Sequence, residues 1–187
     1  MLLFSFYCMS FLIGSIPFGV IFSLWFCNKN PQEHGSKNIG MTNVWRIGGT
    51  QTALLTFVFD IGKGLFVMWV AEILQVSLDI CAILVVMGHC YSAFLDFQGG
   101  KGLATSSGVI LFLSPLSFFI LFFCWLLTRQ ITRSSSKSAI VALVLLPILT
   151  YFCIIEHLIM ILMLSTIVAY RHKDNFQRIR KNEELTL

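Results

Sequence analysis

Residues 128–137 read Thr128-Arg129-Gln130-Ile131-Thr132-Arg133-Ser134-Ser135-Ser136-Lys137, quoted as TRQITRSSSK, between two long apolar runs. Its side of the membrane decides the fold. Apolar stretches cover 1–27, 51–71, 78–97, 102–127 and 138–170. Each meets or exceeds the ~20 residues a helix needs to cross a bilayer, so hydropathy alone gives five spans. Basic residues, however, collect in cytoplasmic loops. The other basic segments are 28–50, with Lys29, Lys37 and Arg46, and the tail, with Arg171, Lys173, Arg178, Arg180 and Lys181. Five spans would put Arg129, Arg133 and Lys137 outside.

The conflict disappears if 102–127 and 138–170 are each a hairpin of two short helices. Ser114-Pro115 supplies the first turn, because proline disfavours helix at the residue before it. Glu156-His157 supplies the second, a polar pair in an apolar run. The expectation is therefore an all-α polytopic bundle of seven transmembrane helices, with the N-terminus outside and the C-terminus cytoplasmic. Every basic residue but Lys63 then lies inside. Helices of about 13 residues rise only ~20 Å, so local bilayer thinning or a re-entrant pair must absorb the difference.

Composition agrees with a membrane protein. Of 187 residues 57% are hydrophobic and only 12% charged, where soluble domains carry about 25% charged residues. The length suits a single domain spanning 1–187. Residues 1–27 lack a basic n-region and a small-residue cleavage site, so no cleavable signal peptide is expected. The net charge of +4 comes without aromatic-interleaved basic patches, which argues against nucleic acid. The six cysteines are scattered singly, with no CxxC and no Cys/His pairing, and read as small buried hydrophobes.

The polar segments then gather on one face, where they can build one site. EHGSKNIGMTNVWRIGG (33–49) mixes Ser36, Asn38, Thr42, Asn43 and Arg46 with four glycines, a composition suited to clamping phosphate or carbonyl oxygens as well as to a solvated loop. GHCYSAFLDFQGGKGLAT (88–105) carries Gly99, Gly100, Lys101 and Gly102 where a helix opens. Free N–H groups at a helix start attract anions, and lysine adds a point charge. It is no nucleotide P-loop: the places for the first glycine and the Ser/Thr hold Leu95 and Gly102. TRSSSKSA (132–139) reads as a turn with helix-capping serines. In RHKDNFQRIRKNEE (171–184), His172 and Asn175 at i, i+3 share a helix face. Asp60 and Lys63 have the same spacing within an apolar span, where charges pair and often serve function.

No cluster of aspartates suits a two-metal site, and no His stands five residues before an Asp. Chemistry here has to work by electrostatics and positioning, with no metal and no cofactor.

At these residues the chain resembles the bacterial acyl-phosphate-dependent glycerol-3-phosphate acyltransferases, the PlsY family, over essentially its whole length. FLIGSIPFG (11–19), HGSKNIGMTNVWRIGG (34–49), DIGKG (60–64), the GH…FQGGKGLATSSG stretch (88–108) and the RHKDNFQRI…E tail (171–184) look like family motifs in family order. The resemblance implies a seven-helix fold in the bacterial cytoplasmic (inner) membrane, with the active site facing the cytoplasm. It implies acyl transfer from acyl phosphate to the 1-hydroxyl of sn-glycerol 3-phosphate, giving lysophosphatidic acid and phosphate in phospholipid biosynthesis. By the same resemblance Ser36, Arg46, His172 and Asn175 are catalytic. Asn38, Thr42, Asn43, Gly99, Gly100, Lys101, Gly102 and Ser136 bind substrate, and Glu184 is structural. Departures include Ser134-Ser135 and Lys137 around Ser136, Ser92 for a common proline, and Asn182 for a glycine. The competing class is a small membrane transporter of phosphate or an organic anion. Transporters often show repeated halves and bind at the midplane, whereas here no repeat is visible.

Overall fold

The structure is a computed structural model that describes residues 2–181 and 183. Asn182 and Glu184 lie outside the described residues. The chain divides into two compact units, 1–109 and 110–187.

In the first unit the chain forms α1 (Leu2–Ser15), α2 (Phe18–Cys27), α3 (Met41–Ile73), α4 (Leu78–Cys90) and the start of α5 (Leu103–Leu113). Pro17 separates α1 from α2, because it cannot donate to a helical carbonyl. Asn28 ends α2 in the left-handed conformation, with its N–H on the Leu24 carbonyl. Ser77 caps α4, and Asp79 in the first turn favours the positive end of the helix. α1 packs mainly on α4, and α3 on both α2 and α4. The α1–α4 crossing is close and reciprocal. A side chain at Gly14 would enter the Val85 carbonyl, and one at Gly88 the Phe11 carbonyl. Small residues permit such backbone approach in membranes, where packing takes over from the hydrophobic effect. Val67, Met68, Ala71, Val85 and Val86 fill the centre.

The second unit holds the end of α5, then α6 (Pro115–Thr132), α7 (Ser135–Cys153), a single 3-10 turn (Ile155–His157), α8 (Leu158–Arg171) and α9 (Lys173–Lys181). Both breaks expected in the long apolar runs are present. At the first, Ser114 caps α6, its Oγ accepting from the Ser117 N–H at 3.3 Å, with Pro115 in the first helical position. The expected equal halves are not found: α5 has 11 residues and α6 has 18. Nothing stops α6 until Arg133 turns left-handed at φ 53°. Ser134 then caps α7, accepting from the Lys137 N–H at 3.1 Å. α7 packs on α6 and α8 and also meets α9.

Among the described residues, four helical stretches are long and apolar enough to cross a membrane: Phe4–Cys27, Met41–Ile73, Pro115–Thr132 and Ser135–Cys153. Ile155–Arg171 with Lys173–Lys181, bent by 54°, makes a fifth if taken as one span. Leu78–Cys90 and Leu103–Leu113 are apolar but shorter. Large apolar side chains such as Phe119, Phe123 and Phe152 stand exposed, as hydrocarbon permits. All six cysteines are free thiols; Cys81 and Cys90 are buried as expected, but Cys8 and Cys153 are exposed.

Candidate active site

The loop between α2 and α3 is organised by one side chain. Asn43, in the first turn of α3 and buried, receives the Ser36 N–H on Oδ1 at 2.7 Å. Its Nδ2 faces the carbonyls of Pro31 (3.0 Å), His34 (2.9 Å) and Asn38 (2.9 Å). Two amide hydrogens thus serve three acceptors, and the whole amide is taken up by its own loop. Gly35 sits at φ +62°, and a side chain there would strike the Asn43 oxygen. This wrapping holds Ser36 and Asn38 half-buried beside the first turns of α3, which carry Thr42 and Arg46. Sequence reasoning placed Asn43 among binding residues; in the structure it is the hub of the loop.

The second loop is organised by the main chain. After α4 the chain turns through Asp96 and Phe97, both with positive φ, and runs back along the helix end. The Gly99 N–H reaches the Cys90 carbonyl at 3.2 Å, and the Gly100 N–H reaches the His89 carbonyl at 2.9 Å. These bonds satisfy two of the carbonyls a helix leaves unpaired at its C-terminus. A side chain at Gly99 would enter the His89 carbonyl, and one at Gly100 the His89 ring. The close approach of His89 therefore requires glycine at both positions. Lys101, half-buried, and Gly102, at φ +86°, follow and lead into α5. The first turn of α5 carries its orphan N–H groups there, the local arrangement that favours an anion. Ser92 ties the loop back to α1, its Oγ donating to the Ser15 carbonyl at 2.5 Å.

The two loops meet. Gln32 of the first donates from Nε2 to the Gln98 carbonyl of the second at 3.1 Å. Neither glutamine stood out in the sequence.

Beneath them lies a buried ionic cluster. The Lys63 ammonium is 2.9 Å from the Asp60 carboxylate, and His89 Nδ1 is 3.5 Å from the same oxygen. The sequence showed Asp60 and Lys63 as a pair, but His89 joins only through the packing of α4 on α3.

In the second unit, His172 and Asn175 do not lie in one straight helix. His172 ends α8, and Asn175 lies in α9 beyond the bend. Both are buried, and the Asn175 N–H still reaches the His172 carbonyl at 2.9 Å. The His172 ring places Nδ1 2.7 Å from the Val168 carbonyl, which requires a proton on Nδ1. Arg178 donates to Asn175 Oδ1. Ser136 is half-buried in the first turn of α7, with Ser134 as its cap.

A helical integral membrane protein with a glycine-lysine loop at a helix start is the class these features define. A sequence profile described as glycerol-3-phosphate acyltransferase matches residues 4–182. A glycerol-3-phosphate acyltransferase of Syntrophomonas wolfei is 38% identical over 178 residues, covering 93% of this chain and 91% of that protein. One from Methylococcus capsulatus is 38% identical over 184 residues, covering 95% and 92%. The fold matches a crystal structure of PlsY (YgiH), an integral membrane glycerol 3-phosphate acyltransferase, in its glycerol 3-phosphate form. The TM-score is 0.94 at 28% identity, covering 100% of this chain and 96% of that one. The lysophosphatidic acid form of the same enzyme matches with a TM-score of 0.90 at 28% identity, covering 100% and 96%. The chain belongs to the glycerol-3-phosphate acyltransferase family.

Proposed function

We propose that this acyltransferase takes its acyl group from acyl phosphate and delivers it to the 1-hydroxyl of sn-glycerol 3-phosphate. The observation that carries the substrate and product is the likeness, over the whole chain, to one enzyme in its glycerol 3-phosphate and lysophosphatidic acid forms. The donor follows from the family the motifs resemble. The glycerol hydroxyl oxygen bonds to the acyl carbon, the carbon–oxygen bond to phosphate breaks, and the hydroxyl proton ends on the departing phosphate. An acyl phosphate is already activated, so the protein has to align the hydroxyl and stabilise developing charge. A donor phosphate oxygen serves as the base.

In this reading Lys101 and Arg46 neutralise phosphate charge, and the first turn of α5 beyond Gly102 offers its N–H groups to the glycerol 3-phosphate phosphate. Gly99 and Gly100 contribute by letting the loop fold onto α4. Ser36, Asn38 and Thr42 contact substrate, while Asn43 contributes indirectly by shaping their loop. His172 and Asn175 orient the reacting groups, Ser136 binds substrate, and Glu184 is structural.

The chain acts as one domain in the bacterial inner membrane with seven spans, its N-terminus outside and its active site on the cytoplasmic face. The breaks at Ser114 and at residues 155–157 support seven. Single cysteines at 133 and 137, in a background without native thiols, should react only with reagents that enter the cytoplasm. Labelling of intact cells by an impermeant reagent would return the count to five. The activity itself is tested with purified protein, labelled glycerol 3-phosphate, and either palmitoyl phosphate or palmitoyl-CoA. Lysophosphatidate is expected from the phosphate donor alone; turnover of the thioester alone refutes the proposed donor.

A further inference from the structure

We infer that Asp60, Lys63 and His89 are positioning residues that set the glycine-lysine loop, acting through the His89 ring. This rests on the reading that the loop bearing Lys101 takes a substrate phosphate. Three titratable side chains lie together in the apolar interior of the first unit, none more than 5% exposed. Groups of this kind are costly inside a membrane protein, and none of the three belongs to the loops that bear the proposed site residues.

Their contacts run in one direction. The Lys63 ammonium donates to the Ile16 carbonyl at 3.0 Å, at the Pro17 break, and lies 5.7 Å from the Phe18 ring centre. The same ammonium meets Asp60 at 2.9 Å. One Asp60 oxygen therefore faces both Lys63 and, at 3.5 Å, His89 Nδ1, an ionic contact along that edge of the imidazole. The opposite edge of that ring, at Nε2, occupies the space a side chain at Gly100 would need. The His89 carbonyl accepts the Gly100 N–H at 2.9 Å. His89 thus presses on Gly100 with its ring and holds it with its main chain, one residue before Lys101. Anchored by Lys63 to the α1–α2 break, Asp60 fixes the ring, and the ring fixes the surface on which the loop lies.

A purely structural ion pair would alter the amount of folded enzyme and nothing else. A positioning role predicts a split between the substrates. Removing one partner of a buried pair leaves the other uncompensated, so Asp60→Asn/Lys63→Met replaces Asp60→Asn alone. His89→Ala tests the other end and decides the matter by itself if the pair is not recovered from the membrane. Lys101→Ala defines which substrate the loop holds. KM for glycerol 3-phosphate and for palmitoyl phosphate is measured on detergent-purified protein of matched folded content.

His89→Ala and the neutral pair are each expected to raise the KM that Lys101→Ala raises by about fivefold to twentyfold, the loss of one well-placed polar contact, with kcat changed by less. Because both act through one ring, adding His89→Ala to the neutral pair should give no more than the larger single effect. If Lys101→Ala raises KM for palmitoyl phosphate instead, the loop holds the donor and the proposed assignment fails. The inference then stands or falls on whether the cluster variants follow it. Wild-type KM values for both substrates, equal rises in both, or multiplying effects in the combined variant overturn it.

Discussion

The two loops of the first unit reach similar order by opposite means. Residues 28–40 are gathered around the single amide of Asn43, which takes the Ser36 N–H and reaches three of the loop's carbonyls. Residues 91–102 are held by main-chain bonds to the end of α4, with glycines where side chains would collide. A loop hung on one side chain fails when that side chain is removed. A loop laid on a helix end fails when something is added. The two designs therefore invite opposite kinds of substitution, subtraction in one and insertion in the other.

The largest effect is expected from Asn43→Ala. It strands the Ser36 N–H and deprives three carbonyls of their donor, and should cost roughly 3–5 kcal/mol of stability with activity lost. Thermal unfolding in detergent measures it, and an unchanged midpoint would mean the first loop does not depend on its hub. Next comes Lys101→Ala, which leaves the main chain of the second loop alone and removes only charge. KM for glycerol 3-phosphate should rise roughly 10- to 150-fold, the worth of a charge-assisted contact, while the unfolding midpoint stays near wild type. A large fall in the midpoint would show that the second loop also relies on a side chain.

Gly100→Ala pushes a methyl against the His89 ring and should raise the same KM by about tenfold, near the 1–3 kcal/mol range of overpacking at its lower end. A KM in Gly100→Ala/His89→Ala no higher than that of His89→Ala alone would confirm that the ring is the obstacle, and a multiplied rise would place the fault elsewhere. The smallest effect belongs to Ser92→Ala. Its hydroxyl is the side-chain tie from the second loop to α1, and its loss should cost only about 1 kcal/mol of stability, with KM changed less than threefold. If Ser92→Ala instead matched Asn43→Ala, the contrast between the loops would collapse.

How much of this was legible in the sequence depends on whether the cause is local. The breaks at Ser114-Pro115 and near Glu156-His157 were readable, because proline chemistry and a polar pair act on adjacent residues. Their consequences for length were not: α6 runs on to Thr132 because the residues after 127 oppose helix too weakly to stop it. The Asp60–Lys63 pair was visible as an i, i+3 spacing, but His89 lies on another helix and joined them only on folding. The glycines at 99 and 100 are visible in the sequence, but the His89 carbonyl and ring that approach them are not, since sequence shows the missing side chain and not what lies against it. His172 and Asn175 kept their proximity across a bend that no proline or glycine announces.

The ion pair within α3 also bears on how the chain enters the membrane. The α3 segment leaves the ribosome before α4, so its charges emerge before His89 does. Each charge alone would cost about 2.5–3.5 kcal/mol at the centre of an inserting helix. Because Asp60 and Lys63 are three residues apart on one helix and touch at 2.9 Å, they can close on each other as soon as that helix forms. The segment between residues 51 and 71 then presents no net charge to the lipid. The costly groups thus share one helix, and the histidine that faces them lies on the next.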